Sequence, residues 1–397
     1  MSKTRAVSKR RAAVTIAAGA TVLTMVAANG SAAFADHKSA ATGAQIQKIS
    51  AMRPMYDVGV HVGNAKTSAA AVAGLKVFSK TVNDGGSFTY RMVGKDPTVV
   101  QALPSTSVKT ALVPLIIHFS NGLTWDPTLG DTCDATSAVT RTMNSPMVKQ
   151  RAWTFGGTAV GKGQYSDAFQ RASFYTQTKP TGINPGYHVK LAYTQLPAIT
   201  VNVPNADAAF GTIACGNGHF AGVDIDWLDN YIQTTLLPQL ATAGWGPKTL
   251  PLFLLGNVVE YIGSPGNCCV LGYHNATSSA ANAQTYSISM YDNTGLFSGS
   301  GDVSVLSHEI AEWMDDPFVD NPTRPWGNIG QVSGCQNNLE VGDPLSGTVF
   351  TQTMNGKAYH LQELAFVSWF YHQSPSTGVN GWYSNRGAFT SAAAPCP

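Results

Sequence analysis

The residues best suited to chemistry lie together in one short segment, SHEIAEWMDDP (307–317). Its first part, His308-Glu309-x-x-Glu312, places an imidazole and a carboxylate four residues apart. On an α-helix such side chains lie one turn apart on the same face. The segment therefore predicts a helix that points a nitrogen ligand and an oxygen ligand toward one place, as a bound metal ion requires.

The surrounding sequence predicts the elements that position this segment. Over residues 303–316, apolar residues recur at the spacing of a helix with one buried face. The residues of that face are Val303, Leu306, Ile310, Trp313 and Met314. The alternating stretch QTYSISMY (284–291) predicts a half-buried strand before the helix, and LQELAFVSWFYH (361–372) predicts another helix.

Strands and helices alternate from about residue 85, and a more irregular part follows the 303–316 helix. ALVPLIIHF (111–119) is a short apolar run of the kind found in buried strands. This order of elements favours an α/β or α+β fold. We expect one catalytic domain over residues 85–397, preceded by a loosely ordered extension or pro-segment over residues 36–84.

Residues 1–35 have the pattern of an export signal, because basic residues precede an apolar run that ends in Ala33-Phe34-Ala35. We expect cleavage near Ala35, with a retained N-terminal anchor as the alternative. The signal holds five of the 25 Lys and Arg residues, so 20 remain against 23 Asp and Glu, a net charge of −3. No basic cluster remains, which argues against a nucleic-acid partner. The sequence has no second long apolar run, so we expect no membrane contact after cleavage of the signal. We therefore expect a secreted protein.

The cysteine content also favours an exported protein. An even number of cysteines in such a chain predicts disulfides, although the sequence alone leaves their pairing open. The six cysteines are Cys133, Cys215, Cys268, Cys269, Cys335 and Cys396. We expect the adjacent Cys268 and Cys269 to reach two different partners, because a bridge between neighbouring residues is strained.

The 307–317 segment resembles the active-site helix of the zincin metallopeptidases, whose HExxH motif has a second histidine where this chain has Glu312. The strand predicted before the helix is similar to their edge strand that leads into the active-site helix. From about residue 85 the chain also resembles exported bacterial proteins thought to be metallopeptidases. The resemblance implies a zincin-like mixed sheet with an active-site helix and an irregular C-terminal subdomain.

The resemblance also implies roles for individual residues. His308 and Glu312 would bind the metal together with Glu340, which lies in an acidic segment downstream, and Asp343 would orient an imidazole N–H. Glu309 would be the catalytic base that takes a proton from the metal-bound water. The other residues that compete for the place of third ligand are Asp343, Asp316, His360 and His372.

The ligand types bear on the metal and on the reaction. Two carboxylates make a harder and less Lewis-acidic site than two histidines and one carboxylate. Zinc is the favoured metal, with manganese, iron or calcium as alternatives. The predicted function is a secreted metal-dependent hydrolase, a peptidase acting on peptide or protein substrates. The alternative is a secreted non-enzymatic binding protein, for carbohydrate among other ligands, with a structural metal site or none.

A second stretch, FAGVDIDWLDN (220–230), is similar to the acidic strand of chitinase-type glycoside hydrolases. Those enzymes need a glutamate as general acid, and this chain has Leu228 at that position with Asp229 one residue late. A structural interpretation is that Asp224 or Asp226 caps a helix beginning near Trp227. We therefore expect this stretch to be structural.

Overall fold

The computed structural model of the chain describes residues 45–49, 54, 74–100, 105–278, 280, 282–297 and 299–396. The predicted signal peptide, residues 1–35, lies outside the described residues, as does most of the predicted extension, residues 36–84.

Strands outnumber helices in the part of the chain that is described. The strands are β1 (Gln47–Lys48), β2 (Val77–Asn83), β3 (Ser87–Val93), β4 (Thr106–Phe119), β5 (Thr124–Trp125), β6 (Arg151–Phe155), β7 (Thr158–Gly163), β8 (Val189–Gln195), β9 (Ile199–Val203), β10 (Ala208–Thr212), β11 (His219–Asp224), β12 (Thr249–Gly256), β13 (Val258–Tyr261), β14 (Cys268–Val270), β15 (Gly272–Ala276), β16 (Thr285–Tyr291), β17 (Pro322–Ile329), β18 (Val332–Asn338), β19 (Val349–Met354) and β20 (Lys357–Gln362). The α-helices are α1 (Ala138–Met143), α2 (Tyr165–Ser173), α3 (Tyr175–Thr178), α4 (Ile225–Tyr231), α5 (Leu237–Thr242), α6 (Ser304–Asp315) and α7 (Val367–Phe370).

The largest sheet has seven strands, with β4, β12 and β16 parallel at its centre. β8 and β9 pair in parallel with successive halves of β4, while β15 and β5 are antiparallel to their neighbours. The predicted strand at 111–119 is part of β4, whose apolar residues other than Ile116 are buried, as expected for a strand covered on both faces. A second, five-stranded sheet has the order β1-β10-β11-β13-β14. The fold is therefore mixed α+β, which confirms the predicted class.

Helix α6 lies over the edge of the large sheet and confirms the helix predicted at 303–316. It packs against β15, β16, β20, β3 and α2. Trp313 is fully buried, and its Nε1 donates a hydrogen bond to Oγ1 of Thr285 at 2.9 Å. Every residue of α6 is buried, so its polar side chains lie inside the protein together with its apolar ones.

Gly272 on β15 allows this close approach of strand and helix. A Cβ at Gly272 would lie 2.7 Å from Cγ1 of Val305 and 3.1 Å from Cγ of Glu309. Both distances are shorter than an ordinary van der Waals contact, so only glycine fits here without a shift of α6.

The helix predicted at 361–372 is wrong. Residues up to Gln362 belong to β20, which forms a hairpin with β19, and only Val367–Phe370 is helical. A short apolar run of this kind fits a buried strand as well as a helix, so local periodicity does not separate the two.

The predicted division of the chain at residue 85 stays a prediction, but two strands lie before it. β2 pairs with β3 across the turn at Gly85-Gly86, and β1 pairs in parallel with β10 of the five-stranded sheet.

The cysteines form three disulfides, Cys133–Cys215, Cys268–Cys269 and Cys335–Cys396. The expectation that Cys268 and Cys269 have different partners is wrong, because the other four cysteines pair with one another and leave these two together on β14. The three disulfides are compatible with an oxidising, extracellular environment.

Candidate metal centre

His308 and Glu312 of α6 meet Asp343 in the interior of the protein, and we call these three residues the first triad. Nε2 of His308 lies 3.0 Å from Oε2 of Glu312 and 3.5 Å from Oδ1 of Asp343. Asp343 begins a short 3₁₀ turn, Asp343–Leu345, which directs its carboxylate toward the helix. The one-turn spacing of the helical residues thus produces the shared position that the sequence predicts.

The ring of His308 is held in one orientation by Gln362 at the end of β20. Nε2 of Gln362 donates to the carbonyl oxygen of Gly342 at 2.6 Å, so its Oε1 is the atom that faces Nδ1 of His308, at 3.1 Å. Nδ1 of His308 therefore carries the proton and donates, which directs Nε2 at the carboxylates. An outer hydrogen bond of this kind is the usual support of a metal-binding histidine.

Both carboxylates of the first triad are also fixed by hydrogen bonds. The backbone N–H of Gly342 donates to Oε1 of Glu312 at 2.9 Å, which leaves Oε2 toward His308. Asp343 accepts from the side-chain amides of Gln331, at 2.6 Å, and Gln336, at 3.3 Å. These partners hold the oxygens in place without supplying a positive charge.

Glu312 also belongs to a second triad, which we define as His274, Glu309 and Glu312. Nδ1 of His274, on β15, lies 3.6 Å from Oε2 of Glu309 and 3.7 Å from Oε2 of Glu312. Nε2 of His274 donates to the carbonyl oxygen of Asp316 at 3.1 Å, so Nδ1 presents its lone pair to the carboxylates. Oε2 of Glu312 is thus common to the two triads.

These separations suit the ligands of a metal ion. Ligands bound tetrahedrally at about 2.0–2.2 Å from an ion lie about 3.3–3.6 Å from one another. The separations are 3.0 and 3.5 Å in the first triad and 3.6 and 3.7 Å in the second, so three of the four fall in or just beyond that range and one is shorter. In each triad the three ligand atoms lie within 4.8 Å of one another. The buried His, Glu and Asp side chains could therefore hold a metal ion.

Burial makes the centre electrostatically costly without a cation. Burial raises the pKa of Glu309 well above its usual value and raises the pKa of Glu312 as well, and in both cases His308 opposes the shift. Burial disfavours the charged form of His308, but Glu312, Asp343 and Glu309 together raise its pKa well above the usual value. Burial lowers the pKa of His274 to about 3, so this imidazole is neutral and available as a ligand.

Glu309, a member of the second triad, has one carboxylate oxygen that makes no hydrogen bond among the described residues. The residue is 1% exposed, and its Oε1 has no hydrogen-bond partner among the described residues. Leaving a buried carboxylate oxygen without a partner costs about 1–3 kcal/mol or more. A water molecule or a cation at this position would remove that cost.

Glu340, the predicted third ligand, is in neither triad. Its carboxylate accepts a hydrogen bond from the amide of Asn338 at 2.8 Å, at the end of β18. Asp343 is the residue that lies beside His308, because the chain turns at Gly342 before it reaches the centre. Asp343 thus lies where the sequence analysis placed either an orienting residue or an alternative ligand, and its role stays a prediction.

The other three alternatives also lie outside both triads. Asp316 accepts hydrogen bonds from the backbone N–H groups of Asp320 and Asn321 beyond the end of α6. His360 is hydrogen-bonded to Asp302, and His372 to Asp84.

His274 and Gln362 were not found from the sequence. Antiparallel pairing of β15 with β16, with His274 opposite Ser287, brings this histidine beside the helix. For His274, the sequence offers only a single histidine shortly before the strand predicted at 284–291. Gln362 falls within the helix predicted at 361–372. Both contacts join the strands to α6 or its end across long sequence separations, 54 residues for His308 and Gln362 and 42 residues for His274 and Asp316.

In the stretch at 220–230, the helix cap expected of Asp224 or Asp226 is present. Asp224 caps α4, since its side chain accepts from the backbone N–H of Trp227 at 3.1 Å. Asp229 is buried on α4 and accepts hydrogen bonds from the hydroxyl groups of Tyr273 and Tyr286.

No protein-family model, curated protein or solved structure matches this chain. The resemblance to the zincins therefore stays a prediction. No helix among the residues that the structure describes is long and apolar enough to cross a membrane.

Proposed function

We propose that this protein is a secreted metal-dependent hydrolase whose substrates are peptides. The observation that carries the proposal is the first triad, a buried and oriented set of one imidazole and two carboxylates, with Glu309 beside it. A residue that activates water needs an oxygen atom that lies close to the metal and is not already engaged in other hydrogen bonds. Oε1 of Glu309 meets that requirement.

Each residue has a distinct part in the proposed reaction. His308, Glu312 and Asp343 would hold the cation, with zinc favoured and manganese, iron or calcium as alternatives. The cation would polarise the carbonyl group of the scissile bond. Glu309 would take a proton at Oε1 from the attacking water and pass it to the leaving amine.

Access to the centre sets a condition on this function. Glu309 and Asp343 are each 1% exposed, and Glu312 is 3% exposed. A peptide could reach Glu309 only after the segments over the centre move, as lids do in many enzymes. The proposal therefore includes an opening motion.

The test compares Glu309→Gln with Glu340→Gln in the purified chain loaded with zinc or manganese. The readouts are hydrolysis of a quenched fluorescent peptide library and metal content. Glu309→Gln should keep at least one bound metal and lose hydrolysis by about 100-fold or more, because the proton acceptor is gone. Glu340→Gln changes a carboxylate outside both triads and should keep both properties.

Full hydrolysis by Glu309→Gln would contradict the role of Glu309. Metal loss in Glu340→Gln, with retention in Asp343→Asn, would instead restore Glu340 as the third ligand. A metal-loaded wild-type chain that cleaves no peptide in the library would contradict the peptidase proposal and leave a structural metal site.

One observation favours a second candidate, a binding protein for neutral sugars. A polar cavity of about 180 Å³ lies at the carboxyl ends of β12 and β16, away from both triads. Its lining includes Trp125, Asp131, His219, Asn257 and Asn293, and amide, carboxylate and aromatic groups of this kind bind sugar hydroxyls and ring faces. Calorimetric titration of the metal-stripped chain with neutral mono- and disaccharides tests it, and Asn293→Ala should weaken any binding.

A further inference from the structure

We infer that the centre takes two divalent cations, one in each triad, with Glu312 as the ligand that they share. The inference rests on the proposed metal site in the first triad and adds a second position beside it. His274, Glu309 and Oε2 of Glu312 would be the protein ligands of that second position.

The first reason for a second metal position is the distance between the imidazoles of His274 and His308. Opposite ligands of a six-coordinate ion bound at about 2.1 Å lie about 4.2 Å apart, and other pairs lie closer. Among the described residues, the ligand atoms of each triad lie within 4.8 Å of one another. The ligand nitrogens of His274 and His308 do not both lie within that distance of each other and of Glu312. One ion in the first triad would therefore leave His274 out of its ligand shell.

The environment of His274 supports a ligand role of its own. The residue is 3% exposed, and its Nε2–H donates to the carbonyl oxygen of Asp316, which directs Nδ1 inward. The distances from Nδ1 to Glu309 and Glu312, 3.6 and 3.7 Å, are too long for hydrogen bonds. They are close to the separation expected of atoms that share an ion.

Glu309 provides an independent observation. Its Oε1 is buried and has no hydrogen-bond partner among the described residues, although Oε2 faces His274. A carboxylate bound to the second ion through Oε2 keeps Oε1 available for the proton transfer proposed above. The second position is therefore compatible with the proposed reaction.

The two positions should differ in affinity. The ligands of the first triad are oriented by Gln362, Gly342, Gln331 and Gln336, whereas the second relies on the carbonyl oxygen of Asp316. Ligands oriented in advance lose less freedom on binding. We expect the first triad to fill first.

The experiment titrates the chelator-stripped full chain with zinc chloride and with manganese chloride by calorimetry, and measures metal content by mass spectrometry. Wild type should bind about two ions, and His274→Ala should bind about one. Glu309→Gln is nearly isosteric and should also bind about one, which keeps the test valid if His274→Ala fails to fold. The control is His118→Ala, because His118 on β4 lies outside both triads.

One ion in wild type and one in His274→Ala would overturn the second position and leave the proposed function standing. Loss of all metal in His274→Ala, with the fold retained, would also overturn it, because both imidazoles would then serve a single ion. A wild-type chain that binds no ion would overturn the proposed metal function itself.

Discussion

Gly342 lies against the ring of His308, so its replacement by alanine is a small change aimed at the metal centre. A Cβ at this position would lie 2.4 Å from Nδ1 of His308 and 2.6 Å from Cγ and Cε1 of the ring. The backbone φ of Gly342 is −86°, which alanine adopts without strain, so the effect of Gly342→Ala is steric.

The magnitude follows from how little the ring can move. Ordinary contacts begin near 3.4 Å, so the imidazole must shift by about 1 Å, and it is fully buried. Overpacking of this kind costs about 1–3 kcal/mol of unfolding free energy. The shift also breaks the alignment with Gln362, and loss of such an outer contact lowers metal affinity by about 10- to 100-fold.

The assay measures zinc affinity by competition with a chelating dye, and urea unfolding of the metal-stripped chain. Gly246→Ala is the matched control, because a Cβ at Gly246 would meet nothing within 4 Å. The control should change the unfolding free energy by less than about 0.5 kcal/mol. If Gly342→Ala matches the control in both measurements, the described packing of Gly342 against His308 is wrong.

Three further predictions concern other contacts. Gln362→Leu removes the acceptor for the imidazole of the first triad and should lower zinc affinity by about 10- to 100-fold, which dye competition measures. Replacing Cys335 and Cys396 together by serine opens a loop with a sequence separation of 61 and should cost about 4 kcal/mol in urea unfolding, and an unchanged midpoint would refute this. The hydrogen bond that His360 donates to the carboxylate of Asp302 raises the pKa of His360, so its stabilisation is present below the unfolded pKa and is lost as pH rises through the folded pKa. Asp302→Asn should flatten this part of the dependence of the unfolding midpoint on pH, and an unchanged slope would count against the contact.

Local patterns predicted one element of the centre, α6, and one strand of the large sheet. Helical spacing in 303–316 and the apolar run at 111–119 correspond to α6 and to part of β4. Burial of an apolar face follows from local periodicity, which a single sequence displays. The pairing of His308 with Glu312 is local in the same sense, since it depends only on the turn of one helix.

The rest depends on contacts between distant segments. His274 reaches the centre through the register of β15 on β16, and Gln362 through the hairpin of β19 and β20. Whether Glu340 or Asp343 lies beside His308 depends on a turn at Gly342. After this turn the two carboxylates have different partners, Asn338 for Glu340 and Gln331 for Asp343. The hairpin has a local signal, Asn355-Gly356 between two strand-like stretches, but no spacing rule in one sequence specifies how these strands pack against α6.

The central claim is that the buried centre holds a divalent cation, and its most direct test is the metal content of the purified chain. Wild type and Glu312→Ala would be dialysed against zinc and manganese, then measured by mass spectrometry and circular dichroism. We expect at least one ion per chain in wild type and a folded Glu312→Ala chain without metal, because Glu312 belongs to both triads. A folded wild-type chain that remains metal-free would contradict the account.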